Sequence, residues 1–326
     1  MKRTILCALV ILFVTTSCRF TRDPSILRQV QDTASLRTGS EPAPAPDASS
    51  TPAPTPSAAR PATESADPVL NLRYSDEPAA HAESLSLDVY PATGTDLPVV
   101  IFVHGGGWFR GDKSNVDAKP AGFNARGFVF VSINYRLIPE VDVTRQMQDV
   151  ARAVAWVKEN IGQYGGDPSR LFLMGHSAGG HLVSLLGTDE SHLRAEGLSL
   201  ADIRGVVSLD TQAYDIYKLM SNLPPTGGEV YRETFGDDPE FWKAMSPQRH
   251  VKADKNIPPF AVVYTSGKES RATLSKEFFA SLQEAGIPSV LLPAPEKTHG
   301  KLNREFGLPN DRISNLVFEW LEELLR

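Results

Sequence analysis

Two short runs of residues carry the chemical information in this chain. The first is Gly175-His176-Ser177-Ala178-Gly179. It stands between the apolar run LFLM and the small, apolar run AGGHLVSLL. A serine set between a buried strand and a helix, with glycine two residues away on each side, predicts a sharp, strained turn. Larger side chains at the glycine positions would collide with neighbouring backbone. Such a turn lifts Ser177 Oγ above the sheet, beside the positive end of the following helix, where a hydroxyl can act as a nucleophile. The second run is His104-Gly105-Gly106-Gly107-Trp108, directly after PVVIFV. Three successive glycines let main-chain N–H groups turn toward one point, which is what a developing oxyanion needs. Gly106 and Gly107 are the candidate donors, with the Ala178 N–H as partner. Trp108 is a candidate wall of the substrate pocket, as is His176, and His104 is expected to orient the loop. The spacing Gly106 to Gly111 also resembles a phosphate-binding loop. That loop needs lysine directly after its second glycine, and Asp112 stands there instead, so nucleotide binding is not expected.

The elements that must hold these runs follow from hydrophobic periodicity. Ser84–Tyr90 alternates as a half-buried strand. Val99–Val103, Phe128–Ile133, Leu171–Met174, Val206–Leu209, Phe260–Tyr264 and Val290–Leu292 are short continuous apolar runs, typical of strands buried on both faces. Val143–Ile161 places Met147, Val150, Val154, Val157 and Ile161 on one helical stripe. Ala178–Leu186, Leu274–Ala285 and Ile313–Leu325 also read as helices. Strands alternating with helices predict an α/β fold, with a mostly parallel sheet covered by helices on both faces. In such sheets ligands meet the carboxyl ends of the strands. Between the strands ending near 210 and starting near 258 lies an insertion rich in aromatics, including Tyr214, Tyr217, Tyr231, Phe235 and Trp242. It is expected either to cap the site with an apolar or aromatic pocket or to pack a small core of its own.

HGGGW, the run NYRL at 134–137 and GGDPSRLFLMGHSAGGH together resemble the α/β-hydrolase superfamily. The likeness is to the esterase branch that holds hormone-sensitive-lipase-like and feruloyl-esterase-like carboxylesterases and kynurenine formamidases, over about residues 70–326. It implies a carboxylic-ester hydrolase that works through a Ser-His-acid triad and an acyl-enzyme on a small-molecule ester. An aryl formamide or amide hydrolase with the same triad is the alternative, and a non-catalytic binding module on this fold the other. Ser, acid and His follow one another along the chain in this superfamily. His299, after PSVLLPAP, is then the base, and THGKLN resembles the HG-x-x-N run of feruloyl-esterase-like members. The acid is expected just after PFAVVY, where Glu269 is the candidate. Many relatives carry Asp in a GxxD spacing, and that slot here is Ser270. Asp210, at the end of GVVSL, is the runner-up, with Asp215 behind it.

Composition sets the outer limits. Of 326 residues 41% are hydrophobic and 22% charged, and the net charge is −6, so there is no basic footprint for nucleic acid. Both cysteines, Cys7 and Cys18, lie near the N-terminus, which excludes a disulfide scaffold or a Cys-ligated metal in the folded region. No HExxH pattern occurs, and no metal or cofactor is expected. Residues 1–17 combine Lys2 and Arg3 with the ten-residue apolar run Ile5–Val14, too short to span a bilayer comfortably, and read as an export signal. The run VTTSC at its end resembles the lipobox of bacterial lipoproteins. This implies a lipid on Cys18 and a protein held at a membrane of the bacterial cell envelope, with a secreted or periplasmic soluble form as the alternative. Residues 18–68 hold a Pro/Ala/Ser/Thr-rich stretch without apolar periodicity and are expected to be a disordered tether. The catalytic domain is expected over 69–326. The oligomeric state is left open.

Overall fold

The computed structural model describes residues 67–326. The expected export signal, the lipid-bearing Cys18 and almost all of the tether lie outside the described residues. Eight strands form one sheet: β1 (Val69–Arg73), β2 (Ser86–Tyr90), β3 (Leu97–Val103), β4 (Val129–Ile133), β5 (Gly166–His176), β6 (Ile203–Leu209), β7 (Phe260–Tyr264) and β8 (Ser289–Pro293). Their order is β1-β2-β4-β3-β5-β6-β7-β8. The pairs β1–β2 and β2–β4 are antiparallel, and all later neighbours are parallel.

Alternation along a strand builds two cores. In β3, Val99, Ile101 and Val103 face one side with Met147, Leu182 and Phe278. Val100 and Phe102 face the other with Phe123, Phe306 and Phe318. The helices Val143–Asn160, Ala178–Leu186 and Glu269–Glu284 therefore cover one face, and Lys119–Asn124 and Arg312–Glu323 the other. Local chemistry starts these helices where the pattern begins. Asp142 accepts from Arg145 N–H at 2.8 Å, and Asp311 accepts from Ser314 N–H at 2.9 Å, each satisfying a donor that the first helical turn leaves open. From β3 the chain crosses to β4 on one side and then to β5 on the other. The reversal opens a crevice at the carboxyl ends of β3 and β5, and these are the ends that carry the two glycine-rich runs.

The insertion after β6 forms four short helices, Ile216–Ser221, Glu229–Phe235, Pro239–Ala244 and Pro247–His250. Most of its aromatics pack inward. Tyr214 stacks on Phe278 at 4.4 Å, and Phe235 meets Trp108 edge-on at 5.1 Å. These rings thus build no separate core for the insertion: they extend the core on one face of the sheet, which neither of the two expectations described.

Candidate active site

Ser177 joins β5 to the Ala178–Leu186 helix with φ 56° and ψ −117°, a backbone state that costs a non-glycine residue about 1–3 kcal/mol. The packing holds it there: Ser177 N–H donates to Leu209 C=O at 2.9 Å. The flanking glycines are required by contact. A Cβ on Gly175 would come within 2.2 Å of Gly179 O, and one on Gly179 within 2.1 Å of Val103 O.

His299 is the first residue of the short His299–Glu305 helix, which Thr298 caps by accepting from Lys301 N–H. Its Nε2 lies 3.0 Å from Ser177 Oγ. Its Nδ1 lies 2.7 Å from Asp210 Oδ2. Asp210 follows β6 with φ 54° and is 1% exposed. Its N–H donates to Val263 C=O of the neighbouring strand at 2.8 Å, which ties the β6 end to the β7 end. The carboxylate accepts from Thr265 N–H at 2.6 Å and from Thr265 Oγ1 at 2.9 Å. Arg271 Nη1 stands 3.1 Å from its Oδ2. Burial alone would raise this carboxyl. Hydrogen bonds from His299 and Thr265 and the charge of Arg271 outweigh it and hold the carboxyl below the usual carboxylate range.

Glu269 does not occupy the place beside His299. It is the exposed first residue of the Glu269–Glu284 helix and lines a separate cavity with Lys218, Leu219 and Asn222. The reason is helical geometry. Glu269 and Arg271 are two residues apart, so their side chains leave the axis roughly 200° apart. Arg271 turns inward to Asp210, so Glu269 turns away. The acid at the histidine is the runner-up, Asp210, supplied by β6 rather than by the loop after β7. Asp215 instead caps the Ile216–Ser221 helix, accepting from Lys218 N–H at 2.9 Å.

The HGGG loop passes directly over Ser177. A Cβ on Gly105 would lie 3.0 Å from Ser177 Cβ, and one on Gly106 only 1.7 Å from Arg110 O. Gly106 and Gly107 both take positive φ, at 131° and 63°. Among the described residues the N–H groups of Gly106, Gly107 and Ala178 donate to no protein acceptor. All three residues line one cavity of about 760 Å³ with Ser177 and His299. His104 orients the loop: its ring stacks on Tyr135 at 4.5 Å, and Nδ1 lies 2.8 Å from Gly105 O. His176 also lines the cavity. Its Nε2–H donates to His299 C=O at 3.1 Å, so the Nε2-protonated tautomer is present. Burial first, and the nearby His299 second, push its pKa down to about 3, so it stays neutral.

Trp108 lines the same cavity, yet it is nearly all buried against His181, Tyr231 and Phe235. Of the aromatics singled out in the insertion only Tyr231 reaches the cavity, held by a 2.6 Å hydrogen bond from Gln212. The rest of the wall is more polar than the sequence suggested, with Arg110, Glu229, Glu233, Lys268 and Arg271. Sequence reasoning missed Arg271 and Thr265 as partners of the acid. Both were visible only as neighbours of the expected acid slot. Among the described residues no cluster of His, Cys, Asp and Glu has the arrangement of a metal site.

The chain and its fold resemble known proteins. The family model BD-FAE matches residues 87–272. The esterase LipQ of Mycobacterium tuberculosis is 34% identical over 248 residues, which are 72% of this chain and 56% of that protein. The isoprenylcysteine alpha-carbonyl methylesterase ICME of Arabidopsis thaliana is 29% identical over 245 residues, 70% of this chain and 56% of that one. The chain thus spans about half the length of these curated relatives. Among solved structures, a truncated carbohydrate esterase from gut microbiota superimposes with a TM-score of 0.68 at 21% identity, over 80% of this chain and 96% of that one. Esterase B from a Lactobacillus superimposes at 0.62 with 24% identity, over 79% and 87%. These two likenesses speak to the fold, an α/β-hydrolase fold. The family match covers more than half of the sequence, and the chain belongs to the BD-FAE family.

Proposed function

We propose that the protein is a serine carboxylic-ester hydrolase. The observation that carries this reading is the linear contact Ser177 Oγ, His299, Asp210, at 3.0 Å and 2.7 Å. A serine hydroxyl is a poor nucleophile until a base takes its proton. His299 Nε2 is in hydrogen-bond reach of that proton. The Nδ1 contact to a buried carboxylate fixes the tautomer that leaves Nε2 free to accept, and stabilises the imidazolium that forms. Ser177 attacks the ester carbonyl, and the oxyanion turns toward the N–H groups of Gly106, Gly107 and Ala178. His299 returns the proton to the leaving alcohol. Water, deprotonated by the same imidazole, then releases the acid from the acyl-enzyme. The relatives named as esterases support the reaction class. Apart from the water that releases the acid, the chain's own side chains and main-chain N–H groups supply every group these steps use.

The test is a panel of p-nitrophenyl esters of rising chain length on the wild type and Ser177→Ala, with fluorophosphonate labelling followed by peptide mapping. The reading expects turnover that Ser177→Ala abolishes and a label on Ser177. A well-folded protein that leaves Ser177 unlabelled and hydrolyses no ester would refute it.

We also propose export and lipid attachment at Cys18, supported by the sequence of residues 1–18 alone. Metabolic labelling with a radioactive fatty acid, lost in Cys18→Ala, checks it. An unlabelled wild type found in the soluble fraction would point to the secreted or periplasmic form.

A further inference from the structure

Behind His299 lies a second recess of about 630 Å³, between the Thr265–Arg271 connection and the Pro295–His299 loop. It shares Lys268, Arg271 and His299 with the active-site cavity. Its lining includes Ser266, Lys297 and Thr298 but no aspartate or glutamate. The charges there are unequally used. Lys297 is committed to Asp311 at 2.5 Å and to Glu305. Lys268 makes no ion pair or hydrogen bond through its ammonium among the described residues, although it stands at the junction of the two cavities. Arg271, with only 8% of its surface exposed, gives Nη1 to Asp210 and Thr265, while its buried Nε has no partner. An unpaired N–H on a buried cation is costly unless something supplies the acceptor.

A further feature acts in the same direction. The 16-residue Glu269–Glu284 helix begins here with no side-chain cap on its first turn, so its positive end adds to the field. Glu269, in the first turn of that helix, offsets part of this field, but it lines another cavity and not this junction. Of the acids that line the active-site cavity, Asp210 is already engaged by Arg271 and His299, while Glu229 and Glu233 belong to the Glu229–Phe235 helix of the insertion and not to this junction.

We propose that the junction of Lys268 and Arg271 binds an ionised carboxylate of the substrate, so that the preferred substrates are esters bearing a second, anionic carboxyl group. The assignment rests on the esterase reading above. A single negative charge matches what is left over: one whole unpaired charge on Lys268, and part of one on Arg271 that Asp210 already shares. A doubly charged phosphate asks for more cation than the junction has free. The carboxylate would sit beside the reacting carbonyl rather than on it, bridging Lys268 Nζ and the guanidinium edge not used by Asp210.

The experiment uses two matched pairs in which an isopropyl group replaces the carboxylate. On the acyl side, 4-nitrophenyl hydrogen succinate is compared with 4-nitrophenyl 4-methylpentanoate. On the alcohol side, 3-acetoxypropanoate is compared with 3-methylbutyl acetate. The expected result is that at least one carboxylate member has kcat/KM about tenfold above its neutral partner at low salt. Lys268→Met should lower that preference about fivefold, chiefly through KM, with Lys268→Arg restoring it, and 0.5 M NaCl should weaken it. Equal or poorer use of both carboxylate members overturns the proposal, as does a preference untouched by Lys268→Met. Neutral esters turned over by the wild type and lost in Ser177→Ala leave the esterase reading standing in that event. Failure of all four esters, with Ser177 unlabelled by fluorophosphonate, removes both.

Discussion

Replacing Asp210 by asparagine and, separately, Glu269 by glutamine distinguishes two acids that lie in adjacent parts of the fold. Asp210 Oδ2 accepts from His299 Nδ1 at 2.7 Å. An asparagine in the same packing keeps Thr265 N–H on its carbonyl oxygen and turns its amide donor toward Nδ1. The imidazole must then carry its proton on Nε2, where it can no longer accept from Ser177. A wrong tautomer of this kind lowers kcat by about 10⁴-fold, or about 5.4 kcal/mol at 1.36 kcal/mol per factor of ten. Glu269→Gln, on an exposed side chain in another cavity, should leave kcat within about twofold. Asp210→Asn also leaves the buried Arg271 without its counter-charge, at a cost of about 3–5 kcal/mol in stability. The assay must therefore report on folded protein only. Single-turnover release of p-nitrophenol, normalised to the amount that stays native by near-UV circular dichroism, does so. Asp210→Asn within tenfold of the wild type, or Glu269→Gln a thousandfold down, would show that the resting contact does not identify the working acid.

Other outcomes follow from the same geometry. Gly106→Ala places a methyl group 1.7 Å from Arg110 O at a positive φ, so the loop must shift, and kcat should fall by about 10²-fold or more in a p-nitrophenyl ester assay. Gly179→Ala puts Cβ 2.1 Å from Val103 O, between the helix after Ser177 and β3, and should lower stability by several kcal/mol, about 3 or more, read as a fall in Tm. His181 is fully buried, with Nε2–H donated to Met245 C=O at 2.9 Å, and burial drives its pKa down to about 4. Its pKa is lower folded than unfolded, so the unfolded chain binds the extra proton between about pH 6.5 and 4, and stability is lost as pH falls through that window. Urea unfolding at pH 7 and pH 4.5 should show a smaller pH dependence for His181→Gln than for the wild type, whatever its absolute stability; an equal dependence would refute this account.

The residues that could be identified from the chain alone are those whose role is dictated locally. Ser177 needs flanking glycines because Gly175 and Gly179 touch backbone within the same strand–turn–helix unit or on the next strand. The HGGG run advertises its exposed N–H groups by glycine content. Buried parallel strands announce themselves as continuous apolar runs, and β3, β4, β6 and β7 appear close to where periodicity puts them. β1 was not legible: Val69–Arg73 is a short edge strand with only partial burial. The four helices of the insertion were hidden for a related reason, since none exceeds seven residues and so none repeats its pattern enough to be read.

What only tertiary structure decided is which carboxylate meets His299. β6 and β7 are parallel neighbours, and the residues after both end at the same edge of the sheet, so Asp210 and the loop holding Glu269 are equally near the histidine as far as chain order can tell. The choice depends on the phase of the Glu269–Glu284 helix and on the hydrogen bond from Asp210 N–H to Val263 C=O, both set by packing between elements more than fifty residues apart. The character of the cavity wall was decided in the same way. Composition counts the insertion's aromatics, but the direction each one faces is settled by what it packs against, and Tyr214 and Phe235 spend their rings on Phe278 and Trp108.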